Sequence, residues 1–221
     1  MDQRFLFITG MPRAGTTLLT FLMNYFENTY VYSDTEYHPM SFASMVRHPG
    51  LFVLKQPYGY FEEFKPEYTY ADILKRPNWK IISLIRDPRD VLVSRHASDK
   101  SRYWVPFKVI PRVTREHLKH YDDPRVFRFK YEELVTGTQE VLDSIAYFIQ
   151  RSYHPDWADF HKHWKVSNSR MSMALNGPRP IDPSNIGNWK KEEHSERLAE
   201  IMADDEIRQC IVNLGYKSNG E

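Results

Sequence analysis

Arg13, Thr16 and Thr17 occupy a glycine-bounded turn, Gly10-Met11-Pro12-Arg13-Ala14-Gly15-Thr16-Thr17, directly after the apolar run Phe5-Leu6-Phe7-Ile8. A guanidinium, two hydroxyls and the unpaired amides at a helix start are groups that hold a phosphate or sulfate, and the helix dipole adds partial positive charge there. Gly10 and Gly15 let the backbone turn sharply and approach such an anion. A second group of matching chemistry follows the apolar run Ile81-Ile82-Ser83-Leu84-Ile85: Arg86 at the strand tip and Ser94 farther along. An arginine fork with a hydroxyl suits a terminal phosphate. Lys55 closes a third apolar run, Leu51-Phe52-Val53-Leu54.

Each group also has a plainer reading. A glycine turn joins strand to helix in many α/β proteins without binding anything, Arg86 can pair with a local carboxylate, and Lys55 can reach to water along its aliphatic stem. The Gly10-to-Gly15 interval has the frame of the P-loop, G-x-x-x-x-G-K-[ST], but Thr16 stands where that motif has Lys. The cation sits inside the turn instead, at Arg13, which weighs against a magnesium-nucleotide kinase.

Strands and helices must bring these groups together. Strands are predicted at Phe5–Ile8, Tyr30–Tyr32, Leu51–Lys55, Lys80–Ile85 and Val126–Lys130, the first and fourth as buried runs and the last as an alternation. Leu18, Leu19, Leu22, Met23 and Phe26 recur at helical spacing over 16–26, and Val141, Leu142, Ile145 and Phe148 do so over 138–149. Asp87 reads as an N-cap with Pro88 at the first helical position, placing Ser94 about two turns along. A further helix is expected around Pro111, and a long polar one ends near Leu214-Gly215-Tyr216. The alternation predicts an α/β fold with three layers, P-loop-like, a central parallel sheet flanked by helices, with ligands beyond the carboxyl ends of the strands. His117 and His120, one turn apart, read as packing or surface histidines rather than metal ligands.

With 221 residues, 41% hydrophobic, the chain can bury one substantial core, so residues 1–221 read as a single domain. Thirty basic against 29 acidic residues give a net charge of +1, which argues against a general nucleic-acid binder. Cys210 is the only cysteine, excluding an intrachain disulfide, a cysteine zinc site and a CxxC redox centre. No signal peptide or membrane-length apolar run is visible, so the expectation is a cytoplasmic protein without a membrane span.

Pro12-Arg13-Ala14-Gly15-Thr16-Thr17-Leu18 resembles the 5′-phosphosulfate loop of sulfotransferases, P-[KR]-[SA]-G-T-T. Leu84-Ile85-Arg86-Asp87-Pro88-Arg89-Asp90-Val91-Leu92-Val93-Ser94 resembles that family's 3′-phosphate motif. Tyr131-Glu132-Glu133-Leu134 resembles its Y-E-[DE]-L segment, and Ile186-Gly187-Asn188-Trp189-Lys190 its C-terminal loop, which folds over the nucleotide. The resemblance implies 3′-phosphoadenosine 5′-phosphosulfate (PAPS) as co-substrate, with no metal. It places Arg13, Ala14, Gly15, Thr16 and Thr17 at the phosphosulfate and Arg86 and Ser94 at the 3′-phosphate. Tyr131 lies near the adenine in that scheme, and Gly187, Trp189 and Lys190 belong to the covering loop.

The small-phenol branch of the family carries a catalytic His two residues after the strand Lys, where this chain has Pro57, although Lys55 itself matches. The tyrosylprotein branch uses a Glu in the loop after the second strand, which makes Glu36 the expected base and His38 the runner-up. Catalytic roles are therefore expected for Arg13, Glu36 and Lys55, acting on a small-molecule hydroxyl acceptor whose pocket draws on aromatics such as Tyr37, Phe42, Tyr58, Tyr60, Tyr103 and Trp104. A P-loop nucleotide kinase, and a nucleotide-binding module that has lost transfer chemistry, are the alternatives.

Overall fold

The structure is a computed structural model that describes residues 4–33, 43, 49–56, 69–96, 99–163 and 179–218. Five strands form one sheet: β1 (Arg4–Gly10), β2 (Thr29–Ser33), β3 (Leu51–Lys55), β4 (Trp79–Ile85) and β5 (Val126–Lys130). Their order is β2-β3-β1-β4-β5, and every neighbouring pair is parallel. β1, β3 and β4 are buried on both faces and read as nearly unbroken apolar runs, whereas the edge strand β5 is only partly buried around Arg128 and β2 leaves Tyr30 exposed.

Side chains of β1 divide between two layers. Leu6 and Ile8 join Val53, Ile82 and Leu84 against α1 (Thr16–Leu22), α5 (Tyr131–Thr136) and α6 (Thr138–Ile149). On the opposite face Phe5 stacks on Trp79 at 4.7 Å, and Phe7, Phe52 and Ile81 pack with α2 (Tyr70–Leu74). Helices thus lie on both faces of a parallel sheet, the expected α/β architecture. No described helix is long and apolar enough to cross a membrane.

Three elements differ from expectation. The first helix stops at Leu22, and Phe26 has left it to bridge Tyr153. The reason is tertiary: Glu27 N donates to the Ser152 carbonyl and His154 N to that of Tyr25, pulling this backbone out of the helix. The helix after Asp87 is α3 (Pro88–Leu92), so Ser94 lies beyond it, where Trp104 N donates to the Ser94 carbonyl and Arg95 bridges Tyr103. The long C-terminal helix is two, α7 (Ser195–Ala203) and α8 (Asp205–Asn213). Between them Asp204 is extended, and its carboxylate accepts from Ile207 N at 3.0 Å, capping α8.

Between the sheet and α4 (Val109–Lys119), which contains Pro111 in its first turn, lies a buried polar chain. Tyr70 Oη and Ser83 Oγ are 2.7 Å apart, and Ser83 Oγ and His117 Nδ1 are 2.8 Å apart. His117 is thus a packing histidine. Burial first, and the Arg128 charge second, lower its pKa from 6.5 to about 4. The unfolded chain therefore binds the extra proton between these values, so stability rises with pH across that window and is fully present above about pH 6.5. Urea unfolding is expected to show up to about 3 kcal/mol lost between pH 7 and pH 4 through this residue. His117→Asn is expected to flatten that part of the profile, and an unchanged slope would assign the acid sensitivity elsewhere.

Candidate active site

Parallel register brings three strand ends to one edge, with Ile8 opposite Lys55 and Gly10 opposite Leu84. The backbone turns sharply after β1: Gly10, Arg13 and Gly15 all have positive φ, and Met11 N donates to the Leu84 carbonyl at 2.9 Å. Gly15 caps α1 in the left-handed conformation. A Cβ there would lie 2.7 Å from Tyr131 Cδ2, so the aromatic ring on α5 closes the back of the turn and only glycine fits. Ala14 and Thr16 are buried in this turn.

The cations converge on it from three segments. Arg13 Nε donates to Ser94 Oγ at 3.1 Å, and its guanidinium carbon lies 5.5 Å from the Trp104 ring centre. Lys55, only 3% exposed, does not reach to water; its Nζ donates to Thr17 Oγ1 at 3.1 Å. Arg86 Nη1 donates to the Arg13 carbonyl at 3.3 Å, and its guanidinium lies 4.3 Å over the Tyr131 ring. Arg86 Nη2 donates to Asp90 Oδ2 at 3.3 Å and to the Asn185 carbonyl. Arg86 Nε is buried with no hydrogen-bond partner among the described residues. A buried donor left over on a guanidinium is a place for an anion, because desolvating it without an acceptor is costly.

The C-terminal segment reaches the same place. Gly187 N and Trp189 N donate to the Asp90 carboxylate at 2.9 and 3.0 Å. Gly187 is required for its positive φ of 71°, since an added Cβ would meet nothing nearer than Lys190 Cδ at 3.8 Å. Trp189 is buried under Arg89, whose guanidinium carbon is 4.0 Å from the ring centre, while Lys190 Nζ lies 5.4 Å from that ring. Glu132 accepts from Asp87 N at 3.2 Å and from Tyr216 Oη at 2.9 Å, and burial raises its carboxyl pKa above the usual range.

Arg13, Ala14, Gly15, Thr16, Thr17, Lys55, Arg86, Ser94, Tyr131, Gly187, Trp189 and Lys190 therefore all lie in one neighbourhood. Glu36, His38 and Pro57, with Tyr37, Phe42, Tyr58 and Tyr60, lie outside the described residues. Asp90 and Arg89 are additions that sequence reasoning missed. Both stand in the Arg86–Ser94 motif and pair locally with Arg86 and Asp87, but their contacts with Gly187 and Trp189 span about a hundred residues, and local pattern carries no sign of those. Among the described residues no group of three His, Cys, Asp or Glu could hold a metal ion.

An open parallel sheet with a cation-rimmed glycine turn at the carboxyl end of its central strand defines a nucleotide-anion-binding α/β protein. The sulfotransferase domain family's model matches residues 3–203, and the chain belongs to that family. No curated protein sequence matches it. Its fold is similar to the sulfotransferase domain from the curacin biosynthetic pathway, with TM-score 0.68 and 16% identity over 98% of this chain and 99% of that one. It is also similar to a mouse sulfotransferase complexed with PAP, with TM-score 0.58 and 14% identity over 97% and 89%. Retinol dehydratase in complex with androsterone and inactive cofactor PAP gives TM-score 0.58 and 16% identity over 96% and 82%.

Proposed function

We propose that this protein transfers the sulfuryl group of PAPS to a hydroxyl on a small-molecule acceptor, in the cytoplasm and without a metal. The observation that carries the reading is the junction of two anion cradles: Arg13 of the glycine turn bonds Ser94, and Arg86 bonds the Arg13 carbonyl while keeping a buried Nε unused. A nucleotide charged at both its 5′ and 3′ ends suits that pair. Arg13, Thr16, Thr17, Lys55 and the turn amides are assigned to the 5′ end. Arg86, Ser94 and Lys190 are assigned to the 3′-phosphate, with Tyr131 beside the nucleoside.

In the reaction a bond forms from the acceptor oxygen to sulfur as the bond from sulfur to the bridging phosphate oxygen breaks. Negative charge then grows on the departing phosphate. Arg13 and Lys55 sit at that end, and their work is positioning and charge stabilisation. The acceptor proton goes to a base, assigned to Glu36, with His38 next. Cys210 as the only cysteine, buried and free, supports the reducing compartment.

Adenosine 3′,5′-bisphosphate at a hundred times its Kd is expected to add ~2.7 kcal/mol of stability, read as a raised melting temperature. Magnesium-ATP at the same concentration is expected to add far less. The reverse ranking would favour the kinase. Glu36→Gln is expected to abolish turnover and leave bisphosphate binding intact, and near-normal activity would move the base to His38.

A further inference from the structure

The Asp90 side chain is wholly excluded from solvent, and its contacts join two distant parts of the chain. Oδ1 accepts from Trp189 N at 3.0 Å, while Oδ2 accepts from Gly187 N at 2.9 Å and from Arg86 Nη2 at 3.3 Å. One residue earlier, Arg89 is held by the Asp87 carboxylate at 2.8 Å, with its guanidinium carbon 4.0 Å from the Trp189 ring centre. The first turn of α3 is therefore a clasp that grips the segment 185–190 by two amides and one indole.

We infer that Asp90 is a positioning residue, which anchors the segment 185–190 as a strap over the 3′-phosphate end of the donor and aims Arg86 at that phosphate. The inference rests on the sulfotransferase reading. Asp90 would touch no reacting atom. Its carboxylate accepts three N–H groups, and removing it leaves the Gly187 and Trp189 amides without their acceptor and takes from Arg86 its carboxylate partner.

The strap's two holds are chemically unequal. Gly187 and Trp189 bind a carboxylate fixed on α3, whereas the Asn185 carbonyl takes Arg86 Nη2 as a neutral acceptor. A phosphate oxygen forms the stronger, charge-assisted bond to a guanidinium. An arriving 3′-phosphate therefore displaces the Asn185 carbonyl and also satisfies Arg86 Nε, while the grip on Asp90 persists. The strap stays fastened while its contact with the donor site is exchanged.

Calorimetric titration of Asp90→Asn and Asp90→Ala with adenosine 3′,5′-bisphosphate and with AMP tests this. Loss of charge-assisted anchoring is expected to lower bisphosphate affinity at least about tenfold and AMP affinity less than about threefold, collapsing the preference for the 3′-phosphate. A purely structural role would lower the melting temperature and leave the ratio alone, so an unchanged or increased ratio overturns the inference. Should both variants fail to fold, hydrogen exchange on the wild-type protein decides. Gly187 and Trp189 amides are expected to exchange slowly in the free protein and more slowly with bisphosphate bound, and fast exchange in both states overturns the strap. Wild-type protein that binds no bisphosphate overturns the donor reading and the strap with it.

Discussion

Lys55→Met lowers kcat by about 10²–10³-fold while the melting temperature holds or rises, in the outcome that the proposed chemistry requires. The ammonium is 3% exposed, and its carbon stem lies among the buried residues at the end of β3. Methionine keeps most of that volume and removes the charge, and exchanging a buried charge for an apolar group of similar size is often neutral or stabilising. Rate and stability are thereby separated. Arg13→Ala is expected to match the loss in kcat, and the double variant to lose less than the product of the two, since the proposed reaction assigns both cations to the same developing charge. A loss under about threefold for Lys55→Met would remove it from the transition state and leave it as the partner of Thr17.

The elements that carry the site were legible because local pattern alone specifies them. Apolar runs marked β1, β3 and β4, and the Asp87-Pro88 pair marked the start of α3, where Asp87 does accept from Arg89 N at 2.9 Å. The glycine turn showed itself through residue types that tolerate positive φ or hold anions. What stayed hidden was decided between segments. The break at Asp204 depends on a cap that sequence offers as readily to one long helix, and Ser94 leaves its helix because Trp104 and Tyr103 draw its neighbourhood into a bridge. Asp90 shows the same limit at the site itself. Its neighbours in sequence mark a helix start, and only the fold shows that it holds Gly187 and Trp189.

Sheet and site share one backbone contact, which sets the second large effect. Gly10→Ala is expected to destabilise the protein by about 4 kcal/mol or more, enough to leave it largely unfolded at 37 °C. Gly10 has φ of 129°, which side-chain-bearing residues rarely adopt, and an added Cβ would sit 1.9 Å from the Leu84 carbonyl oxygen. That oxygen accepts from Met11 N and belongs to the central strand pair, so it cannot retreat without breaking the register of β1 with β4. Moving Gly10 would also shift Arg13 away from Ser94 and the Arg13 carbonyl away from Arg86. Urea unfolding followed by circular dichroism checks this. Gly187→Ala serves as the comparison, because an added Cβ there meets only Lys190 Cδ at 3.8 Å and positive φ is the sole penalty, about 1 kcal/mol. Equal losses at the two positions would mean that backbone angle alone governs both, and that the junction of β1 and β4 yields where close packing says it must not.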